Sequence, residues 1–125
     1  MYEYKARMLK VVDGDTLDLD IDLGLRVHVK ERVRLFGINT PELHSSNADE
    51  RVAAQKAADF LRSLVTNGVL TVKTQKDSQE KYGRYLATVF DSAGVNVNEE
   101  MVKAGHAATY LGVGPMPKWP WPATV

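Results

Sequence analysis

The strict alternation of apolar and polar residues between positions 15 and 36 constrains the fold of this chain most strongly. Residues 15–23 alternate without a break, and their apolar face carries Leu17, Leu19, Ile21 and Leu23. Gly24 supplies a turn, after which residues 25–36 alternate again, with one face carrying Val27, Val29, Val33 and Leu35. A period of two predicts half-buried strands. With a further strand predicted over 3–12, the first three strands should form an antiparallel meander.

A helix is predicted after the meander. Ser46 and Asn47 are capping residues, and the acids that follow suit the first turn of a helix. One face of the predicted helix carries Ala53, Ala57, Phe60, Leu61 and Leu64. Asn67 and Gly68 are typical of a helix end.

The remaining pattern completes an α+β plan. Strands are predicted over 69–75 and 84–91, with a polar loop over 76–83 between them, and Asn98 should cap a short helix over 99–104. Five strands and two packed helices indicate a closed barrel of the oligonucleotide-binding type. We predict one domain over 1–112. The Pro/Trp-rich tail over 113–125 should lie extended and fold back onto the domain through its two tryptophans.

The amino-acid composition excludes several kinds of chemistry and of binding partner. The chain has 125 residues and no cysteine, which excludes disulfides, thiolate ligands and thiol nucleophiles. Lys+Arg and Asp+Glu number 16 each, so the basic footprint of non-specific nucleic-acid binding is missing and any such contact must be local. No apolar run approaches the ~20 residues that span a bilayer, and the N-terminal residues do not form a signal peptide. We expect no membrane partner and a protein that is cytoplasmic, or secreted with its leader removed.

Asp15 is the first candidate metal ligand. It shares the parity of Leu17 and Leu19, so it begins the buried face, where a carboxylate is costly unless it is paired or binds a metal. The alternative for Asp13, Gly14 and Asp15 is a plain hairpin corner. The aspartates between the apolar positions of this strand are interpreted as a solvent-facing surface.

Two arginines, Arg34 and Arg84, could bind phosphate bidentately. The alternative for either one is an ordinary surface ion pair. Alternation sends Arg34 outward while Asp15 begins an inward face. The two can therefore meet only at a rim where the strands bend.

Residues 39–42 read Asn-Thr-Pro-Glu, and the proline forces Thr40 into extended geometry. A side-chain amide oxygen and a backbone carbonyl are hard ligands that suit Ca²⁺. Glu42 is then available to orient or deprotonate a water. The alternative is a plain turn with an exposed acid.

Taken in order, four motifs resemble those of the staphylococcal nuclease family over residues 5–111: Asp-Gly-Asp-Thr, Arg-Leu-x-Gly-Ile-Asn-Thr-Pro-Glu, Tyr-Gly-Arg-x-Leu-Ala and Val-Asn-Glu-x-Met-Val-x-x-Gly. That family has an oligonucleotide-binding barrel and uses calcium to cut DNA and RNA, leaving 3′-phosphate ends. The resemblance implies calcium ligands at Asp15, Asn39 and Thr40. It implies catalytic roles for Arg34, Glu42 and Arg84. It implies substrate contacts at Lys81, Tyr82 and Tyr110.

The chain departs from the family pattern in its neutral charge, in its Pro/Trp tail and at Asn39, where an acidic ligand usually stands. The amide removes one negative charge, and calcium affinity depends on ligand charge. We predict a monomeric, Ca²⁺-dependent phosphodiesterase that acts on DNA, RNA or both. The alternative is an inactive domain of the same family that binds nucleic acid or a protein partner.

Overall fold

A closed barrel of five strands dominates the computed structural model of the protein, which describes residues 2–79, 85–110 and 116–121. In chain order the elements are β1 (Tyr2–Asp13), β2 (Thr16–Asp22), β3 (His28–Leu35), β4 (Ile38–Asn39), α1 (Ala48–Val65), β5 (Leu70–Gln79), β6 (Tyr85–Phe90), α2 (Val97–Lys103) and β7 (Ala108–Thr109). The predicted α+β class, with a five-stranded barrel of the oligonucleotide-binding type and two helices, is confirmed.

Pairing between neighbouring strands runs in the order β1, β2, β3, β6, β5 and returns to β1. The pairs β1–β2, β2–β3, β1–β5 and β5–β6 are antiparallel, so the predicted meander is confirmed. The closing pair, β3–β6, is parallel and sets Arg34 opposite Leu86. Parallel strands need a long connection, and here that connection contains α1 and β5.

The alternating faces of β2 and β3 supply much of the core, because their inward side chains pack inside the barrel. The buried apolar side chains of the barrel strands are Ala6, Val11, Leu17, Leu19, Ile21, Val33, Leu35, Leu70, Val72, Ala87 and Val89. Leu23 and Val27, predicted on these faces, are about half exposed. They lie beyond the last β2–β3 pair, in a turn closed by a hydrogen bond from Leu23 N–H to the Val27 carbonyl at 2.8 Å.

Helix α1 begins where it was predicted, because the side chain of Asn47 accepts hydrogen bonds from the N–H groups of Asp49 and Glu50. Its buried face is rotated slightly from the predicted one. The buried residues of α1 are Ala54, Ala57, Ala58, Leu61 and Val65. Phe60 and Leu64 only flank the core, and alanines occupy three of the five buried positions.

Helix α2 is capped by Asn96, not by Asn98 as the sequence suggested. Asn98 is buried inside the helix and satisfies three backbone groups. Its Oδ1 accepts from Val89 N–H at 3.0 Å, and its Nδ2 donates to the carbonyls of Phe36 and Ala87 at 2.9 and 3.1 Å. Asn98 therefore ties α2 to β6 and to Phe36, the residue that follows β3.

Two further features were not predicted. Strand β5 continues to Gln79, so the loop predicted over 76–83 is wrong at its first four positions; the rest of it lies outside the described residues. The short strands β4 and β7 pair beside the barrel, with Asn39 opposite Ala108. Within the ranges described, no helix has both the length and the apolar character needed to cross a bilayer.

Candidate active site

The turn between β1 and β2 brings Asp13 and Asp15 together. The N–H of Asp15 donates to Asp13 Oδ1 at 3.0 Å, the local side-chain bond that makes Asp favourable in turns. Between them, Gly14 lies against α1 and the loop after β4. A Cβ at this position would stand 2.9 Å from Ala57 Cβ and 3.1 Å from Thr40 Cβ. Glycine therefore allows the acidic turn to pack directly against the segment that carries Thr40.

Asp15 is a buried carboxylate with its side chain only 10% exposed. The hydroxyl of Thr16 donates to Asp15 Oδ1 at 3.0 Å. Burial raises the pKa of Asp15 to about 7, and the adjacent Asp13 carboxyl adds to the rise, while Arg34 and Thr16 act in the opposite direction. Among the described residues, Arg34 and Thr16 favour the charged form of Asp15 but do not offset the cost of burying its charge.

Arg34 lies at the end of β3, and its side chain is only 13% exposed. Its Nη2 is 3.4 Å from Asp15 Oδ2 and 3.4 Å from Asn39 Oδ1. Asp15 and Arg34, which strand alternation assigns to opposite faces, therefore do meet. The β1–β2 register is irregular between Val11 and Asp13 at this rim, and Asp15 lies in the turn before β2, outside the regular alternation.

The contact between Arg34 and Asp15 differs from the neighbouring ion pair on the same strands. Two residues before Arg34, Arg32 holds Asp18 through bonds of 2.7 and 3.1 Å on the outer surface. Asp18 is partly exposed, as predicted for the aspartates of β2. The Arg34 contacts are longer and lie in a much less solvated position, so the guanidinium has capacity for a further anion.

The segment after β3 carries the remaining predicted residues of this region. Thr40 and Pro41 are buried, and Glu42 is exposed. Tyr110 donates its backbone N–H to the Gly37 carbonyl at 2.7 Å. The structure therefore brings Tyr110 beside the segment that leads into Asn39.

Glu50 in the first turn of α1 holds the loop that contains Glu42. Its Oε2 accepts from the N–H of Glu42 at 3.0 Å, and its Oε1 accepts from the hydroxyl of Ser45 at 2.7 Å. Sequence reasoning treated Glu50 only as a first-turn acid. The Asn-x-x-Glu spacing from Asn47 is a capping-box pattern, and this signal could have marked the residue as one that reaches back beyond the helix.

Three of the predicted residues, Lys81, Tyr82 and Arg84, lie outside the described residues. Among the described ones, no group of three or more His, Cys, Asp or Glu side chains could hold a metal ion. The oxygen donors at this rim are of mixed kind instead. They are the Asp15 carboxylate and the Asn39 amide, both within 3.4 Å of Arg34 Nη2, while Thr40 lies beside Gly14.

A five-stranded barrel of the oligonucleotide-binding type, with a buried acid and an arginine at its rim, defines the class of this protein. A family model described as "Staphylococcal nuclease homologue" matches residues 32–118. The chain belongs to this family.

Several relatives are 30–35% identical to the chain. Endonuclease YhcR of Bacillus subtilis (strain 168) is 35% identical over 87% of this chain, which spans 9% of that protein. The thermonuclease of Staphylococcus hyicus is 30% identical over 84% of this chain, which spans 59% of it. An uncharacterised endonuclease of Escherichia coli O157:H7 is 34% identical over 84% of this chain, which spans 60% of it. The chain therefore matches only part of each relative.

Proposed function

We propose that the chain is a nuclease that hydrolyses phosphodiester bonds of DNA, RNA or both. The observation that carries the proposal is the convergence of Asp15, Arg34 and Asn39 at one rim of the barrel. In a family whose relatives include proteins named endonuclease and thermonuclease, this rim combines groups for a cation with one for a phosphate.

The donor set fits a calcium ion by its chemistry. Asp15, Asn39 and the Thr40 carbonyl offer hard oxygen atoms of the kind that Ca²⁺ prefers. Burial raises the pKa of Asp15, and a cation beside this carboxylate would favour its charged form. When bound, Ca²⁺ would neutralise charge on the phosphate.

Arg34 would bind the phosphate and stabilise the negative charge that grows on its oxygens in the transition state. The resemblance assigns the same role to Arg84. Glu42, exposed in the loop held by Glu50, would orient and deprotonate the attacking water. The bond between phosphorus and the 5′ oxygen would break, so one product would carry a 3′-phosphate and the other a 5′-hydroxyl.

Lys81, Tyr82 and Tyr110 would contact the bound nucleotide, as the resemblance implies. The proposed nuclease unit covers residues 1–112, with the tail over 113–125 attached to it, and acts as a monomer. A neutral chain with 16 residues of each charge suggests that substrate binding depends on these local groups and less on a broad basic surface.

One observation favours the rival function, a domain that binds nucleic acid or a protein without cutting. Among the described residues, no three His, Cys, Asp or Glu side chains are grouped so that they could hold a metal ion, and position 39 carries a neutral amide. With one carboxylate fewer than the family pattern, calcium binding would be weaker.

The deciding experiment incubates the purified chain with single-stranded DNA and RNA, in Ca²⁺ and in a chelator. Arg34→Ala, purified in parallel, controls for contaminating nuclease. Cleavage that requires Ca²⁺, is lost in the variant and leaves 3′-phosphate ends supports the proposal. Binding without cleavage in any divalent cation would establish the rival.

A further inference from the structure

The side chain of Asn39 bridges the candidate site and the C-terminal tail. Its Oδ1 lies 3.4 Å from Arg34 Nη2, inside the site. Its Nδ2 donates to the backbone carbonyl of Pro117 at 3.3 Å. Pro117 is 78 residues away in the chain and stands two positions before Trp119. One amide group therefore connects the barrel rim to the tail.

The hydrogen-bonding chemistry fixes which way this amide faces. A guanidinium can only donate, so the atom next to Arg34 must be the amide oxygen. A backbone carbonyl can only accept, so the atom next to Pro117 must be the amide nitrogen. Reversing the amide would place two donors together on one side and two acceptors together on the other. Both neighbours thus favour the same orientation.

We propose that the tail carbonyl of Pro117 is a positioning group that locks Asn39 with its oxygen toward Arg34, and that this contact requires an amide at position 39. The tail is then part of the site architecture. Asn39 serves as a pre-oriented neutral oxygen donor whose direction is set from outside the barrel. The role as an oxygen donor rests on the proposed function, whereas the contact with the tail does not.

An aspartate at position 39 would satisfy only one of the two neighbours. Its carboxylate could accept from Arg34, as the amide oxygen does. It has no hydrogen to donate to the Pro117 carbonyl, and two acceptors would face each other at the distance of the present bond. An acidic ligand usually stands at this position in the family. In this chain it would remove the contact between the barrel rim and the tail.

The tail carries its own reporter, because Trp119 and Trp121 are the only tryptophans of the chain and both are partly buried. The experiment records tryptophan emission and acrylamide quenching of the full chain in a chelator, without substrate. We expect Asn39→Asp to shift emission to longer wavelength and to increase quenching. Asn39→Ala should have the same effects, since it also lacks the hydrogen-bond donor. If Asn39→Asp does not fold, Asn39→Ala alone provides the test.

Asn47→Asp is the matched control. The Asn47 side chain accepts from two helix N–H groups, which a carboxylate does equally well, so its emission should equal that of the wild type. Wild-type emission and quenching in Asn39→Asp or in Asn39→Ala, with the fold intact by circular dichroism, would overturn the proposal. Because no cation or nucleic acid is present, a failed nuclease assay and a failed tail contact remain separate results.

Discussion

The carboxylate of Glu50 accepts the backbone N–H of Glu42 at 3.0 Å and thereby ties the first turn of α1 to the loop after Pro41. The same carboxylate accepts from Ser45 at 2.7 Å, and Arg51 donates to the Ser45 carbonyl at 2.6 Å. A side chain on a rigid helix thus holds a loop residue proposed to act on water. Loop residues with a functional role depend on such support.

We expect Glu50→Ala to lower kcat about tenfold or more, with little change in KM. Two hydrogen bonds to a charged group are lost, each contributing roughly 1.5–3 kcal/mol, and the loop that carries Glu42 is released. Steady-state kinetics on an oligonucleotide checks this. Asp49→Ala is the matched control, because Asp49 is an acid of the same helical turn for which no bond to the loop is seen. Equal kinetics in the two variants would rule out a positioning role for Glu50.

Arg34→Ala should lower the rate of cleavage by on the order of 10²–10³, since one preorganised group facing the transition state is removed. Arg34→Lys retains charge next to Asp15 but not the planar, two-pronged contact, and it should recover only part of the rate. Arg32→Ala, on the same strand but paired with Asp18 on the outer surface, should remain within a few-fold of wild type. A comparable loss in both alanine variants would place the effect outside the proposed site.

Glu42→Ala and Arg84→Ala should each cause a rate loss of similar size, on the order of 10²–10³, with the fold intact. Circular dichroism and single-turnover cleavage check both points. Wild-type rates in both variants would remove the proposed general base and the second arginine from the mechanism.

Asp15→Asn should stabilise the protein in a chelator, and more at pH 8 than at pH 5. The pKa of Asp15 is about 7 in the folded state against an ordinary value of 3.8. Between these values the folded state binds more protons than the unfolded state, so stability falls as pH rises and the cost is fully present above pH ~7. The variant removes that cost. Melting temperatures of both proteins at the two pH values provide the measurement.

Asp18→Asn gives the opposite sign and serves as the control for Asp15→Asn. The hydrogen bond and charge of Arg32 hold the pKa of Asp18 below its ordinary value, so the ionised group stabilises the fold above that value. Its replacement should therefore lower the melting temperature at both pH values. A stabilisation by Asp15→Asn that did not change with pH would exclude a raised pKa as its cause.

Gly14→Ala should destabilise the protein by about 1–3 kcal/mol, the usual cost of overpacking. The new Cβ would meet Ala57 Cβ at 2.9 Å and Thr40 Cβ at 3.1 Å. Denaturant unfolding measures the loss. Adding Ala57→Gly should recover part of it, beyond what the two single variants predict together, because it removes the nearest atom. Strict additivity would mean that the turn does not press on α1.

Much of the fold could be predicted because its signals are local. The period of two in residues 15–36 identified β2 and β3, since successive side chains of a strand point to opposite faces. Asn47 and the acids after it marked the start of α1. Where two residues could serve equally well, the local signal was ambiguous. Asn96 caps α2, while Asn98 bonds to β6 and to Phe36 after β3 from within the helix.

The site itself was only partly predictable. Asp15, Asn39 and Thr40 were selected by residue type and by resemblance, but parity left open whether Arg34 reaches Asp15. Glu50 and Pro117 were not expected at the site. Their contacts depend on backbone paths, the first through the loop after Pro41 and the second through the tail, which no short-range periodicity describes.

The sequence alone determined the barrel strands and the two helices, most of the buried faces of β2 and β3, and the side chains that are candidates for phosphodiester chemistry. The tertiary structure alone decided that β3 pairs with β6, that Arg34 meets Asp15 at the barrel rim and that the tail carbonyl orients Asn39. The physical reason is that secondary structure follows from side-chain spacing over a few residues. The direction of a functional group depends on donors and acceptors brought together from distant parts of the chain.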